Sequence, residues 1–207
     1  MVLGCLLSVT SHEEIIQKEG AANEGLQSLV QMLGSSEEET QENAASVLAD
    51  VFGVRKDICE NISRLEIINP LIKLLNIGTE RIAMQLARAL AALFFSTETN
   101  KYLVYIASGA VKPLIELGKS SSIFAAEMAI NALASLLSNA QIAEQALAED
   151  IIPSLKRVLM DGTKGGKGHA TGALARFLSH MPVDDVLIEC LHHCGTVVAL
   201  VIFFGFY

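Results

Sequence analysis

At 207 residues the chain has room for one or two ordinary domains, and its stock is Leu, Ile and Ala with few aromatics and no Trp, the mix that packed helices use. A formal net charge of −8 argues against nonspecific binding of nucleic acid by the whole chain. The charge is uneven: residues 11–60 hold eleven acidic side chains against Lys18, Arg55 and Lys56, whereas residues 151–179 hold Lys156, Arg157, Lys164, Lys167 and Arg176 against Asp161.

Residues 1–22 read as a partial repeat or irregular start. Met1 to Val9 is apolar, but no Lys or Arg precedes it and the run is short for a signal peptide. Residues 23–194 read as a run of helices. Asn23 or Glu24 opens a helix through Leu33, and Gly34-Ser35-Ser36 ends it. Glu37, Glu38 and Glu39 then favour the start of the next helix, which closes near Phe52. A short helix carries Ile58, Cys59 and Ile62. Pro70 and Pro113 are each expected to open a long helix, where the missing N–H costs nothing, with Pro153 one place earlier in the next. Further short helices are expected at Tyr102–Ala107, Ile142–Leu147 and Val186–Leu191. Residues 195–207 read as the truncated apolar start of a further repeat. Val197 to Tyr207 is well short of the roughly 20 residues that span a bilayer, so no transmembrane segment is expected.

Two hydrophobic ladders tie these helices into one pattern. Ala44, Val47, Leu48, Val51 and Phe52 have the spacing of a buried helix face. The pattern recurs at Leu86, Ala89, Leu90, Leu93 and Phe94, at Ala129, Ala132, Leu133, Leu136 and Leu137, and at Ala170, Ala173, Leu174, Phe177 and Leu178. Leu48, Leu90, Leu133 and Leu174 stand 42, 43 and 41 residues apart, and Leu29, Leu71, Leu114 and Leu155 precede them by 19 each time. A fixed offset repeated four times is one supersecondary unit copied along the chain. Its period, with three helices per unit of which one is short, predicts an all-α, armadillo-type α-solenoid of about four repeats plus partial end repeats. The uncapped apolar residues Ile202, Phe203, Phe204 and Phe206 suggest a piece of a longer solenoid, or a gene product truncated at both ends, prone to self-association.

Several strings are more specific than the repeat pattern. Glu24 to Val30 (EGLQSLV), Glu39 to Asp50 (ETQENAASVLAD), Val111 to Ile115 (VKPLI), Glu144 to Asp150 (EQALAED) and Pro182 to Leu187 (PVDDVL) resemble the plant cellulose synthase-interactive proteins over roughly residues 20–200. The resemblance implies a non-catalytic armadillo scaffold whose partners are cellulose synthase subunits and microtubules. It places the chain in the cytoplasm, peripheral at the plasma membrane and cortical microtubules. Family members also carry a C2 domain that this sequence lacks. The alternatives are the substrate-binding armadillo region of a plant U-box-type ubiquitin ligase, or a truncated product without independent function.

In armadillo solenoids the third helices line a concave groove. The matching pairs are Ser46 and Asp50, Arg88 and Ala92, Asn131 and Ser135, and Gly172 and Arg176. Arg88, Asn131 and Arg176 are the expected groove contacts. Importin-α-like grooves grip basic peptides with Trp and Asn, and without Trp nuclear-signal recognition is not expected. Lys156, Arg157, Lys164 and Lys167, with Arg176, form a basic cluster suited to an acidic partner such as tubulin. Gly162 to Gly168 (GTKGGKG) misses the phosphate-loop pattern at both ends and reads as a flexible inter-helix loop. Cys190, His192, His193 and Cys194 lack the second ligand pair of a structural zinc site, and the four Cys read as reduced thiols. No catalytic constellation, cofactor or metal is expected.

Overall fold

The computed structural model describes residues 24–55, 67–96 and 101–180. Every regular element among them is helical: α1 (24–33), α2 (Glu38–Val54), α3 (Ile68–Ile77), α4 (Glu80–Ser96), α5 (Lys101–Gly118), α6 (Ile123–Leu136), α7 (Ala140–Ala148), α8 (Ile152–Asp161) and α9 (Lys164–Leu178). The short helices expected around Ile58 and at Val186–Leu191, the cluster at Cys190–Cys194, and the segments 1–22 and 195–207 lie outside the described residues.

The chain divides into two compact units, Met1–Ile106 and Ala107–Tyr207. In the first, α4 packs along α2 and against α3. In the second, α9 packs along α6 and against α8, and α8 also meets α6. Both ladders form the cores. Leu29, Leu71, Leu114 and Leu155 are buried, as are Leu48, Leu90, Leu133 and Leu174. Of the residues assigned to the ladder faces, Val47 and Leu178 remain only half-buried. Ala49, Ala91 and Ala134, each following a ladder leucine, are also buried. Small side chains there let neighbouring helices approach closely.

Capping explains where the third helices begin. Ser122 Oγ accepts from Ala125 N at the start of α6, and Thr163 Oγ1 accepts from Gly166 N at the start of α9. Asn139 Oδ1 does the same for Gln141 and Ile142 in α7. That helix ends in a Schellman motif: Ile151 N donates to Ala146 O and Asp150 N to Leu147 O, with Ile151 and Ala146 both buried beneath it. Asp150 sits at φ 61°, the position glycine usually takes. Asp150→Gly is therefore expected to stabilise the second unit by about 0.5–1 kcal/mol, seen as a higher midpoint in urea with an unchanged slope.

Two expectations are corrected. Pro113 does not open a helix; it lies inside α5, which runs unbroken from Lys101 and absorbs the separate helix expected at Tyr102–Ala107. Proline there removes the bond to the carbonyl of Gly109, but Gly109 is exposed, which lowers the cost of the lost donor. The glycine-rich run after Thr163 is not a loop either. Lys164 to Gly168 form the first turns of α9, and only Gly162 and Thr163 separate it from α8. A capped N-terminus and a buried partner for Gly166, described next, outweigh the glycine penalty.

Candidate protein-binding surface

The residues expected at the groove lie on α2, α4, α6 and α9, and within each unit polar contacts join the third helices one repeat apart. In the first unit, Arg88 of α4 reaches back to α2. Its Nη2 lies 3.0 Å from Asp50 Oδ1 and donates to Ser46 O at 3.3 Å and Ser46 Oγ at 3.4 Å. The sequence register paired Ser46 with Asp50 and placed Arg88 one repeat on; the structure brings all three together. The side chains are 42% and 59% exposed for Arg88 and Asp50, so this ion pair contributes little more than alignment. Arg88 Nε is buried without a hydrogen-bond partner. A second rung lies along the same helices, where Arg81 donates to Glu42 Oε1 through Nε at 3.1 Å and Nη2 at 2.9 Å.

In the second unit Asn131 and Arg176 are both half-buried, on α6 and α9. Arg176 folds back along its own helix: a Cβ on Gly172 would stand 3.2 Å from its Nη1. At the far end of these helices His180 Nε2 lies 2.8 Å from Ser138 O, again 42 residues apart.

The basic cluster divides in two. Lys164 and Lys167 are exposed on the first turns of α9, and Lys156 is half-buried on α8. Arg157 is turned the other way, donating from Nη1 to Ser120 O and from Nη2 to Ser121 O at 2.7 Å, and so ties α8 to the α5–α6 linker.

Sequence reasoning missed the contact that holds the start of α9. Glu127 of α6 is only 3% exposed, yet among the described residues no cation meets it. Its carboxylate instead accepts from Thr163 N and, at 2.9 Å, from Thr163 Oγ1. Gly166 lies directly beneath: a Cβ there would fall on the Glu127 Cγ and carboxyl. A signal was present, because Glu127 and Glu42 both stand six residues before a ladder leucine. Each carboxylate reaches the start of the next repeat's third helix.

Among the described residues no helix is long and apolar enough to cross a membrane, and no group of three or more His, Cys, Asp or Glu gathers as metal ligands.

All-helical elements, a period near 42 and, within each unit, third helices packed along one another define an armadillo-type α-solenoid. A computationally designed armadillo repeat protein for modular peptide recognition matches 96% of this chain with a TM-score of 0.71, over 81% of its own length and at 20% identity. A designed armadillo repeat protein in complex with peptide (KR)4 matches 96% of the chain and 80% of its own length, with a TM-score of 0.70 and 20% identity. No protein-family model matches the chain. Protein CELLULOSE SYNTHASE INTERACTIVE 3 of Arabidopsis thaliana is 50% identical over 188 residues, 90% of this chain. Protein CELLULOSE SYNTHASE INTERACTIVE 2 of the same plant is 45% identical over 188 residues, 89% of this chain. The resemblance seen in the quoted strings holds, and these repeats are of the cellulose synthase interactive family. The chain spans 9% of the length of each of these two relatives.

Proposed function

We propose that the chain is a non-catalytic interaction scaffold whose repeats present a protein-binding surface to cellulose synthase subunits and to microtubules, peripheral to the plasma membrane on its cytoplasmic side. The observation that carries this reading is 50% identity over 188 residues to a relative named for interaction with cellulose synthase. Its mechanism is surface presentation. Rigid helices hold many modest contacts in fixed register, so little ordering is left for the moment of binding.

Within this reading the groove contacts are Arg88, Asn131 and Arg176. The acidic surface of the microtubule meets Lys164 and Lys167, supported by Lys156, while Arg157 stays with the α5–α6 linker. Exposed lysines on a rigid helix act mainly on encounter rate and on salt sensitivity.

A pull-down with the cytosolic regions of cellulose synthase, together with microtubule co-sedimentation, tests the proposal; binding to neither removes it. Reversing Lys164 and Lys167 to Glu together is expected to weaken microtubule co-sedimentation about tenfold at low salt. Cellulose synthase binding should stay unchanged. Equal loss of both would show that the lysines hold the fold rather than the partner.

A further inference from the structure

We propose that Ser121 is a phosphorylation site whose phosphate is received by Arg157 of the following repeat. Three serines fill the α5–α6 linker, and two are already occupied. Ser120 Oγ accepts from Ser122 N at 3.0 Å, and Ser122 Oγ caps α6. Ser121 is exposed, and its hydroxyl takes part in no hydrogen bond among the described residues.

Arg157 already lies against this linker. Two of the guanidinium's five N–H groups go to the Ser120 and Ser121 carbonyls, and the others meet no partner among the described residues. The pairing occurs once in the register. Two places after Leu29, Leu71 and Leu114 stand Gln31, Lys73 and Glu116, where Leu155 is followed by Arg157. Seven places after Leu29, Leu71, Leu114 and Leu155 stand Ser36, Gly78, Ser121 and Gly162. Ser36 therefore precedes a repeat bearing Lys73, which lacks the planar fork; only Ser121 precedes a repeat bearing arginine.

The reaction is ordinary kinase chemistry. Ser121 Oγ attacks the γ-phosphorus of ATP, the bond to the bridging oxygen breaks, ADP leaves, and the hydroxyl proton passes to the kinase base. The product carries about −1.5 to −2 charges and three acceptor oxygens beside a guanidinium with donors to spare. The modified linker is thereby bound more firmly to α8.

The test is the full chain with phosphoserine genetically encoded at position 121. Its Tm is expected to rise by about 2–4 °C over the unmodified chain. Arg157→Gln should abolish that rise, and Arg157→Lys, which keeps the charge and loses the fork, should halve it. If the Gln variant does not fold, the Lys variant carries the comparison. No rise, or an equal rise in every background, overturns the proposal. Incubation with ATP and a plant-cell kinase extract should place phosphate on Ser121 by fragment mass spectrometry; phosphate only on Ser120 or Ser122, or on none of the three, also overturns it.

Discussion

Replacing Gly166 by alanine is expected to destabilise the second unit by about 1–3 kcal/mol, even though alanine is the better helix former by about 1 kcal/mol. The added methyl has nowhere to go. It would fall on the Glu127 Cγ and carboxyl, which are buried between α6 and α9 and held by Thr163. To make room, Glu127 would have to release Thr163 N and Oγ1 and leave a buried carboxylate unsatisfied. Glu127→Ala alone is also expected to be destabilising, since it removes both acceptors and opens a gap above Gly166. Gly166→Ala should change sign in that background. With the carboxyl gone, the methyl fills the gap and the helix gains its propensity. Urea melts of the four proteins in this double-mutant cycle should give a coupling of about 2 kcal/mol or more. Equal destabilisation by Gly166→Ala in both backgrounds would show that the close approach does not exist.

Leu90→Ala should cost about 2–5 kcal/mol, among the largest losses for a single side chain in the first unit. Leu90 is 0% exposed in α4, which packs on α2 and α3, and fixed helices close poorly on a cavity. Phe95→Ala on the same helix removes a larger side chain, yet its ring is 62% exposed, so the expected change is within about 0.5 kcal/mol. Thermal or urea unfolding of the pair separates the two outcomes directly. A costly Phe95→Ala would mean that the exposed ring is covered in solution.

The repeat was legible because burial leaves a periodic trace. Leu48, Leu90, Leu133 and Leu174 can be found by counting, and the structure buries all four. Third-helix register was legible for the same reason: it set Arg88 one repeat after Ser46, and the structure joins the two and adds Asp50. Helix boundaries were harder where local preference opposed tertiary packing. Gly165, Gly166 and Gly168 of α9 read as a loop, because neither the Thr163 cap nor the Glu127 carboxylate is visible from spacing alone. Pro113 misled in the opposite direction. Its usual place is a helix start, but the buried Val111, Leu114 and Ile115 hold it within a longer helix. The basic cluster looked uniform in sequence. Only coordinates show Arg157 spent on linker carbonyls while Lys164 and Lys167 face solvent.

The Glu127 seat also makes neighbouring repeats non-interchangeable. Gly166 stands eight residues before its ladder leucine; the corresponding place ahead of Leu90 is Ile82, a buried branched side chain. A shuffled chain that set the Glu127 repeat in front of the Ile82 repeat would lose the Gly166 seat, and its carboxylate would have to turn to Arg81, as Glu42 does. Order along the array is thus encoded in lock-and-key edges, and module swapping would have to carry both halves of each edge together.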